Sequence, residues 1–400
     1  MSTDRLYYHD SYHREFTARV VSTRSIDGHT EVVLDRTAFY PEGGGQPTDL
    51  GSLGGASVVA VVEREEEVVH RVQGEVPQGE VVGRLDWGRR FDHMQQHSGQ
   101  HLLSQAFERL LDAKTVSFHM GPETSTIDLA VSSLVQDQVE AVERLTNQVV
   151  FESRPILIHL VEPSDLGRFE LRKGTERTEQ IRIVEIQDFD SIPCGGTHCR
   201  TTGEVGLVKV TRWDRRSGNT RVDFLCGWRA LRDYQGKNVT VVDLAATLSV
   251  RDREVRGAVE RLLRENAEVR HQAGLLRNQL LDYRAEELSR QAEPVGRGSV
   301  VVALLPSATP DELKQLATRL TEGQGRVALL AGGEDRAHLV FARSEDLSFD
   351  TSALLRRASG PFGGRGGGRP NLAQGGIPEP GRARLVLEGA LRELRSILAV

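Results

Sequence analysis

Lysine and cysteine are scarce in this 400-residue chain, and it has no long apolar run. The three cysteines, Cys194, Cys199 and Cys226, are too few for a disulfide framework. In a reducing compartment a close pair points to metal sooner than to a bridge. No stretch approaches the ~20 apolar residues of a membrane span. The opening "MSTDRLYYHDSYHREF" is polar and carries acids, unlike a signal peptide. A cytoplasmic protein with no membrane association is therefore expected. No glycine run is followed by GK[ST], which excludes a P-loop. The net charge of −6 argues against a bulk nucleic-acid coat, although local patches can still bind phosphate. Of 51 basic residues only 5 are lysine and 46 are arginine. Arginine makes bidentate phosphate contacts, but GC-rich coding produces the same bias, so it carries little functional weight.

What is present reads as an α+β multidomain chain. Short Val-rich runs over 16–87, separated by Gly, Asp and Pro, predict a small β-barrel or sandwich across 1–89. A helix is expected from Asp86–Arg90 to Leu110 and a second from Ser133 to Val150, followed by strands at 154–162, 181–187, 204–213 and 220–227. Together these make an α+β domain over 90–238. Over 239–293, Val255, Val259, Leu262, Asn266, Val269, Ala273, Leu276, Leu280 and Tyr283 recur in steps of four and three, a heptad-like seam on a long helix. Such a seam makes a homodimer through 255–283 or a helical hairpin within one chain. Residues 294–400 read as strand, helix, strand, strand, then a helix near 351–358, a glycine-rich loop (359–381) and a last helix, a small α/β domain.

Two motifs have metal-ligand spacing. "DHMQQHSGQHLLS" (92–104) puts His93, His97 and His101 near one helix face. "PCGGTHCR" (193–200) adds Cys194-x-x-x-His198. Eight residues of helix span about 12 Å, so His93 and His101 do not readily share one ion. One adjacent pair must serve, and spacing does not choose it. Cys199 is an alternative to His198. Three nitrogens and a thiolate suit zinc. "YPEGGGQP" (40–47) brings Gly43, Gly44 and Gly45, which let backbone approach a ligand, and Gln46, which offers an amide; a plain β-turn is the simpler use.

"RTAFYPEGGGQPTDLG", "HMQQHSGQHLLS" and "CGGTHCRTTGEVG", in this order, closely resemble the editing domain of alanyl-tRNA synthetase and the free-standing AlaX-type editing proteins. "GNTRVDFLCGWRAL" looks like the strand that closes that domain, and "GGRGGGRPNLAQGG" resembles a DHHA-type C-terminal domain. No synthetase catalytic domain precedes these motifs, which fits the long free-standing form. The resemblance implies one zinc ion on His97, His101, Cys194 and His198, leaving His93 and Cys199 outside the set.

It also implies hydrolysis of mischarged tRNA for alanine, chiefly the seryl ester and secondly the glycyl one. A small apolar synthetic site rejects an added hydroxyl poorly, and a second site that binds that hydroxyl reverses the preference. Thr37 matches the position associated with serine recognition, and Gln46 is expected to bind substrate or position water. Arg89 and Arg90 are expected to meet the acceptor end, helix-surface charge being the alternative. From Leu355 to Val400 there are 8 arginines and 3 acids, and Arg365 and Arg369 beside the glycine run are expected to hold tRNA phosphate. A tRNA-binding module with little chemistry is the competing reading. Phosphoester hydrolysis, which also accompanies DHHA-type domains, would need an Asp-His-His triplet, and the sequence has none.

Overall fold

The structure, a computed structural model, describes residues 3–26, 28–176 and 180–398. The chain divides into two compact units, Met1–Thr247 and Leu248–Val400.

In the first unit, β1 (Glu15–Ile26), β2 (His29–Leu34), β3 (Gly51–Leu53), β4 (Ala56–Arg64), β5 (Glu67–Gln73) and β6 (Glu80–Leu85) pair in the order β1-β2-β5-β4-β3-β6. β6 pairs back onto β1, so the six strands form a closed ring. The period-two alternation of the Val-rich runs explains its interior. Phe16, Ala18 and Val20 of β1 point inward, with Val32, Leu34, Val58, Val61, Val72 and Val81 completing the core.

The chain leaves the ring as α1 (Trp87–Leu111). Asp86 caps it by accepting the Arg89 N–H at 3.1 Å, and Asp112 ends it in the left-handed conformation at φ 50°. Every residue from His93 to Ser104 is buried, so α1 is a central helix with no water-facing stripe over that stretch. It is followed by the hairpin β7 (Thr115–Met120) and β8 (Ser125–Leu129), then α2 (Gln136–Phe151), β9 (Ile156–Val161), β10 (Ile181–Ile186), β11 (Asp190–Pro193), β12 (Val208–Arg216) and β13 (Asn219–Cys226). Two antiparallel sheets form, β12-β13-β8-β7 and β9-β10-β11. Leu102, Leu103 and Phe107 of α1 share a core with Val139, Val142 and Val149 of α2 and with Ile127 and Phe224 of the larger sheet. The sequence reading has no counterpart for the β7–β8 hairpin. Its local pattern is weak, and it is held by long-range pairing, Ser125 of β8 lying opposite Phe224 of β13.

The helix expected across 239–293 is interrupted. α3 (Gly227–Leu248) stops where Ser249 takes φ 52°, and α4 (Val255–Arg290) begins after a 3-10 turn at Asp252–Glu254. In α4 the seam residues Val259, Leu262, Val269, Leu276, Leu280 and Tyr283 are exposed. The buried face is instead Leu281 and Ala285, one position round, which pack with α5 (Pro310–Leu320). The rest of the second unit contains β14 (Glu293–Val295), β15 (Gly298–Leu305), β16 (Arg326–Gly332), β17 (Ala337–Arg343), α6 (Thr351–Ser359), β18 (Arg365–Arg369), β19 (Leu372–Ile377) and α7 (Ala383–Leu398). Its sheet order is β14-β15-β16-β17-β19-β18. The expected glycine-rich loop is corrected to the hairpin β18–β19, with Gly366 opposite Gly375 and Gly367 opposite Gln374. Bare glycines suit that edge because a Cβ on Gly366 would meet the Gln374 carbonyl and a Leu355 methyl at 2.6 Å. Among the described residues no helix is long and apolar enough to cross a membrane.

Candidate metal centre

His97 and His101 lie one turn apart on α1. Cys194 follows the last residue of β11, whose position is set by the pairing of Pro193 with Ile183 and by the Cys194 N–H donating to the Arg182 carbonyl at 3.1 Å. His198 comes one short loop later. Gly196 permits the approach, because a Cβ there would fall 2.1 Å from Cε1 of His97. One ligand atom from each of His97, His101, Cys194 and His198 lies within 4.8 Å of the others. The Cys194 sulfur is 3.5 Å from Nε2 of His97 and 3.3 Å from Nε2 of His198. A tetrahedral zinc with bonds of about 2.3 Å to sulfur and 2.0–2.1 Å to nitrogen separates those atoms by about 3.5 Å, so the donor set fits such an ion.

Neighbours orient the rings. Nδ1–H of His97 donates to Oε1 of Gln46 at 2.9 Å, which leaves Nε2 as its donor toward metal. Gln46 is itself fixed: its Oε1 accepts the Thr197 N–H at 3.1 Å and its Nε2 donates to the Thr197 hydroxyl at 2.9 Å. Nδ1 of His198 is 3.1 Å from the Ser98 hydroxyl. Among the described residues, Nδ1 of His101 has no hydrogen-bond partner; it lies 3.8 Å from Asp190, which Arg172 holds at 2.8 Å.

Burial sets the protonation. It holds the His97 imidazole at about 3, helped by Arg182, and holds His101 and His198 well below the usual histidine range. All three are neutral at pH 7 and ready to ligate. Burial pushes the Cys194 thiol up, while Arg182 and the Gly196 N–H pull it down, so metal uptake must displace a proton from sulfur.

Three of the four, His97, His101 and Cys194, line a cavity of about 420 Å³ that Gly43, Gly44 and the exposed edge of β7 also line. Gly44 and Gly45 take φ of 57° and 83° between the mutually bonded Gly43 and Gln46, as a type I′ turn requires. Gly45 is off the cavity, packed so closely that a Cβ would meet the Phe118 carbonyl at 2.6 Å. Gln46 is buried behind His97 and does not line the cavity. Thr37 is also buried and off the cavity. Its hydroxyl bonds Nε2 of His70 at 2.8 Å and accepts the Phe39 N–H.

Arg90 corrects both expectations for it. It is fully buried, paired with Asp49, and donates to the Ser11 carbonyl at 2.7 Å, so it is neither a surface charge nor a contact for RNA. Arg89 is partly exposed, while Arg365 and Arg369 are exposed in the second unit. His93, outside that ligand set, is buried one turn before His97 on α1. Cys199 is a core thiol, its N–H donating to Ser98. Among the residues lining the cavity, sequence reasoning missed Tyr8, Arg172 and Lys173. "LYYHD" and "LRKG" carry no spacing signal; only the tertiary fold brings them to the cluster.

Comparison with known proteins agrees with this geometry. Residues 181–223 match the family described as threonyl and alanyl tRNA synthetase second additional domain, and residues 297–398 match the DHHA1 domain. The alanyl-tRNA editing protein AlaX-L of Pyrococcus horikoshii is 33% identical over 99% of this chain and 100% of its own length. An alanine–tRNA ligase of Korarchaeum cryptofilum is 32% identical over 94% of this chain, and one of Methanoregula boonei 34% over 96%. The chain spans 44% and 43% of those two ligases. Full-length similarity to AlaX-L, with both domain matches in order, shows that this chain belongs to the AlaX family of alanyl-tRNA editing proteins.

Proposed function

We propose that this chain is a cytoplasmic hydrolase that deacylates mischarged alanine tRNA, the seryl ester chiefly and the glycyl ester secondly. The observation that carries the reading is the convergence of His97, His101, Cys194 and His198 on one point, three of them at the wall of a cavity, in a chain of the AlaX family. These four residues would hold one zinc ion. Zinc bound there would supply Lewis-acid polarisation of an ester carbonyl or a water only if one ligand left or the four-ligand shell expanded, and would otherwise position the substrate. The chain's own groups do the rest. Gln46 is a positioning residue that fixes the His97 tautomer. Gly43 and Gly44 let the substrate backbone come close, and Lys173 offers charge to the RNA end, while Arg172 is taken up by Asp190. No substrate contact is assigned to Thr37. Arg365 and Arg369, both exposed on the edge hairpin, would bind tRNA phosphate. The division into 1–89, 90–238, 239–293 and 294–400 is part of the proposal, as is association of two copies through the exposed seam of α4, which sedimentation of the full chain tests.

The decisive experiment measures deacylation of Ser-, Gly- and Ala-esters of alanine tRNA, and of Ser-tRNA for serine, with zinc content in parallel. Cys194→Ala is expected to lose zinc and deacylation together. Full activity in a metal-free Cys194→Ala variant refutes the role of the cluster, and rapid loss of correctly charged Ser-tRNA refutes specific editing. Unchanged tRNA affinity after removal of residues 295–400 would exclude the C-terminal domain as the tRNA clamp.

A further inference from the structure

A second cleft, of about 730 Å³, lies one turn back along α1 from the metal cluster. His93, four residues before His97, lines it; that step is about 6 Å of helix. The two spaces are neighbours with no lining residue in common, lying on either side of β7 and the turn at 43–47. Phe118 of β7 lines the metal cavity and His119 the cleft, while Gly44 lines the cavity and Pro47 the cleft.

The cleft combines three features. Trp228, at the start of α3, is 56% exposed, a large aromatic face left in water. Arginines outnumber acids in a chain that is negative as a whole. Arg229 is consumed, with two nitrogens on Asp92 at 2.7–3.0 Å and the third on the Gly121 carbonyl. Arg232 reaches Asp92 only at 3.9 Å and is well exposed. Arg89 is anchored through Nε to the Thr48 carbonyl at 2.9 Å, which leaves its terminal nitrogens for a ligand. Finally, His93 is 3% exposed, and its Nδ1 has no hydrogen-bond partner among the described residues. Burial, with Arg89 nearby, keeps this ring neutral, so it can donate or accept.

An aromatic platform flanked by arginines is the chemistry that holds single-stranded nucleic acid, the base stacking while phosphate meets guanidinium. A stacked strand rises about 3.4 Å per nucleotide, so one helical turn corresponds to one or two nucleotides. We propose that this cleft holds the nucleotide one or two positions before the one whose ester lies at the metal cluster, its base on Trp228 and its phosphate on Arg89 and Arg232. The proposal rests on the ester-hydrolase reading above.

The test uses the zinc-loaded full chain and two esters: seryl-adenosine, which reaches only the metal cavity, and a seryl acceptor-stem hairpin with its single-stranded end. Trp228→Ala is expected to lower kcat/KM for the hairpin about 10- to 100-fold, the worth of one stacked base, chiefly through KM. Seryl-adenosine should be unaffected, and Trp228→Phe should restore most of the loss. Arg232→Glu should weaken the hairpin alone and flatten its salt dependence. If Trp228→Ala leaves the hairpin rate unchanged, or lowers both esters equally, the nucleotide site is overturned while the hydrolase reading stands. If the wild type cleaves neither ester, the hydrolase reading fails and this proposal with it.

Discussion

Gln46→Ala is the most informative single change. Gln46 is 1% exposed, and its Oε1 serves two buried donors, Nδ1–H of His97 and N–H of Thr197. Truncation leaves both unmet, at about 1–3 kcal/mol each. One of them belongs to a metal ligand, and loss of such an outer partner typically costs about 10- to 100-fold in metal affinity. The zinc dissociation constant of Gln46→Ala should therefore rise about 10- to 100-fold, read by competition against a chromophoric chelator. Gln46→Glu keeps the acceptor and should stay within about tenfold of the wild type. Deacylation at saturating zinc tests the positioning role of Gln46. Recovery of activity means that it acts through His97. Activity that stays low with the site full would contradict that role. Unchanged zinc affinity in Gln46→Ala would refute the reasoning, because the 2.9 Å bond would then have no bearing on the ligand.

Other perturbations follow from the same contacts. His70 is fully buried, with Nδ1–H on the Val32 carbonyl and Nε2 on Thr37, and burial holds it at about 4 against an ordinary 6.5. Below 6.5 the unfolded chain takes up the proton first, so stability falls as pH drops from 6.5 toward 4. At pH 5 the loss is about 2 kcal/mol. His70→Gln should shrink the gap between pH 7 and pH 5 denaturation by about that amount; an unchanged gap refutes the assignment. Arg90→Met strands the buried Asp49 carboxylate and should cost about 3–5 kcal/mol by chemical denaturation. A loss under about 1 kcal/mol would contradict the pairing. Arg365→Ala with Arg369→Ala should lower the log–log salt slope of tRNA binding by about 1–2, and an unaltered slope removes them from the phosphate contacts. Zinc binding at pH 7 should release about one proton, from Cys194, because the three imidazoles are already neutral. Calorimetry in two buffers of different ionisation enthalpy measures it, and release of three or more would mean that the histidines were charged.

The sequence by itself determined a good deal. The i, i+4 spacing of histidines put candidate ligands on one helix face, period-two alternation marked the ring strands, and Ser/Asp/Gly punctuation placed most element ends within a few residues. These are local properties, written in neighbours three, four or two positions apart. It did not choose between His93 and His101 as the partner of His97; only the resemblance did. The fold supplies the physical reason, since the loop bearing Cys194 and His198 meets α1 at the later turn, where Gly196 allows contact. The β7–β8 hairpin, the commitment of Gln46 to His97 rather than to the cavity, the burial of Arg90, and the hairpin in place of the glycine-rich loop were decided by tertiary structure alone. Each depends on a partner far along the chain: Phe224 for Ser125, His97 for Gln46, Asp49 for Arg90, Phe341 for Ala373. Burial, which sets the charge of every histidine in the cluster, is likewise a property of the packed chain and not of any residue in it.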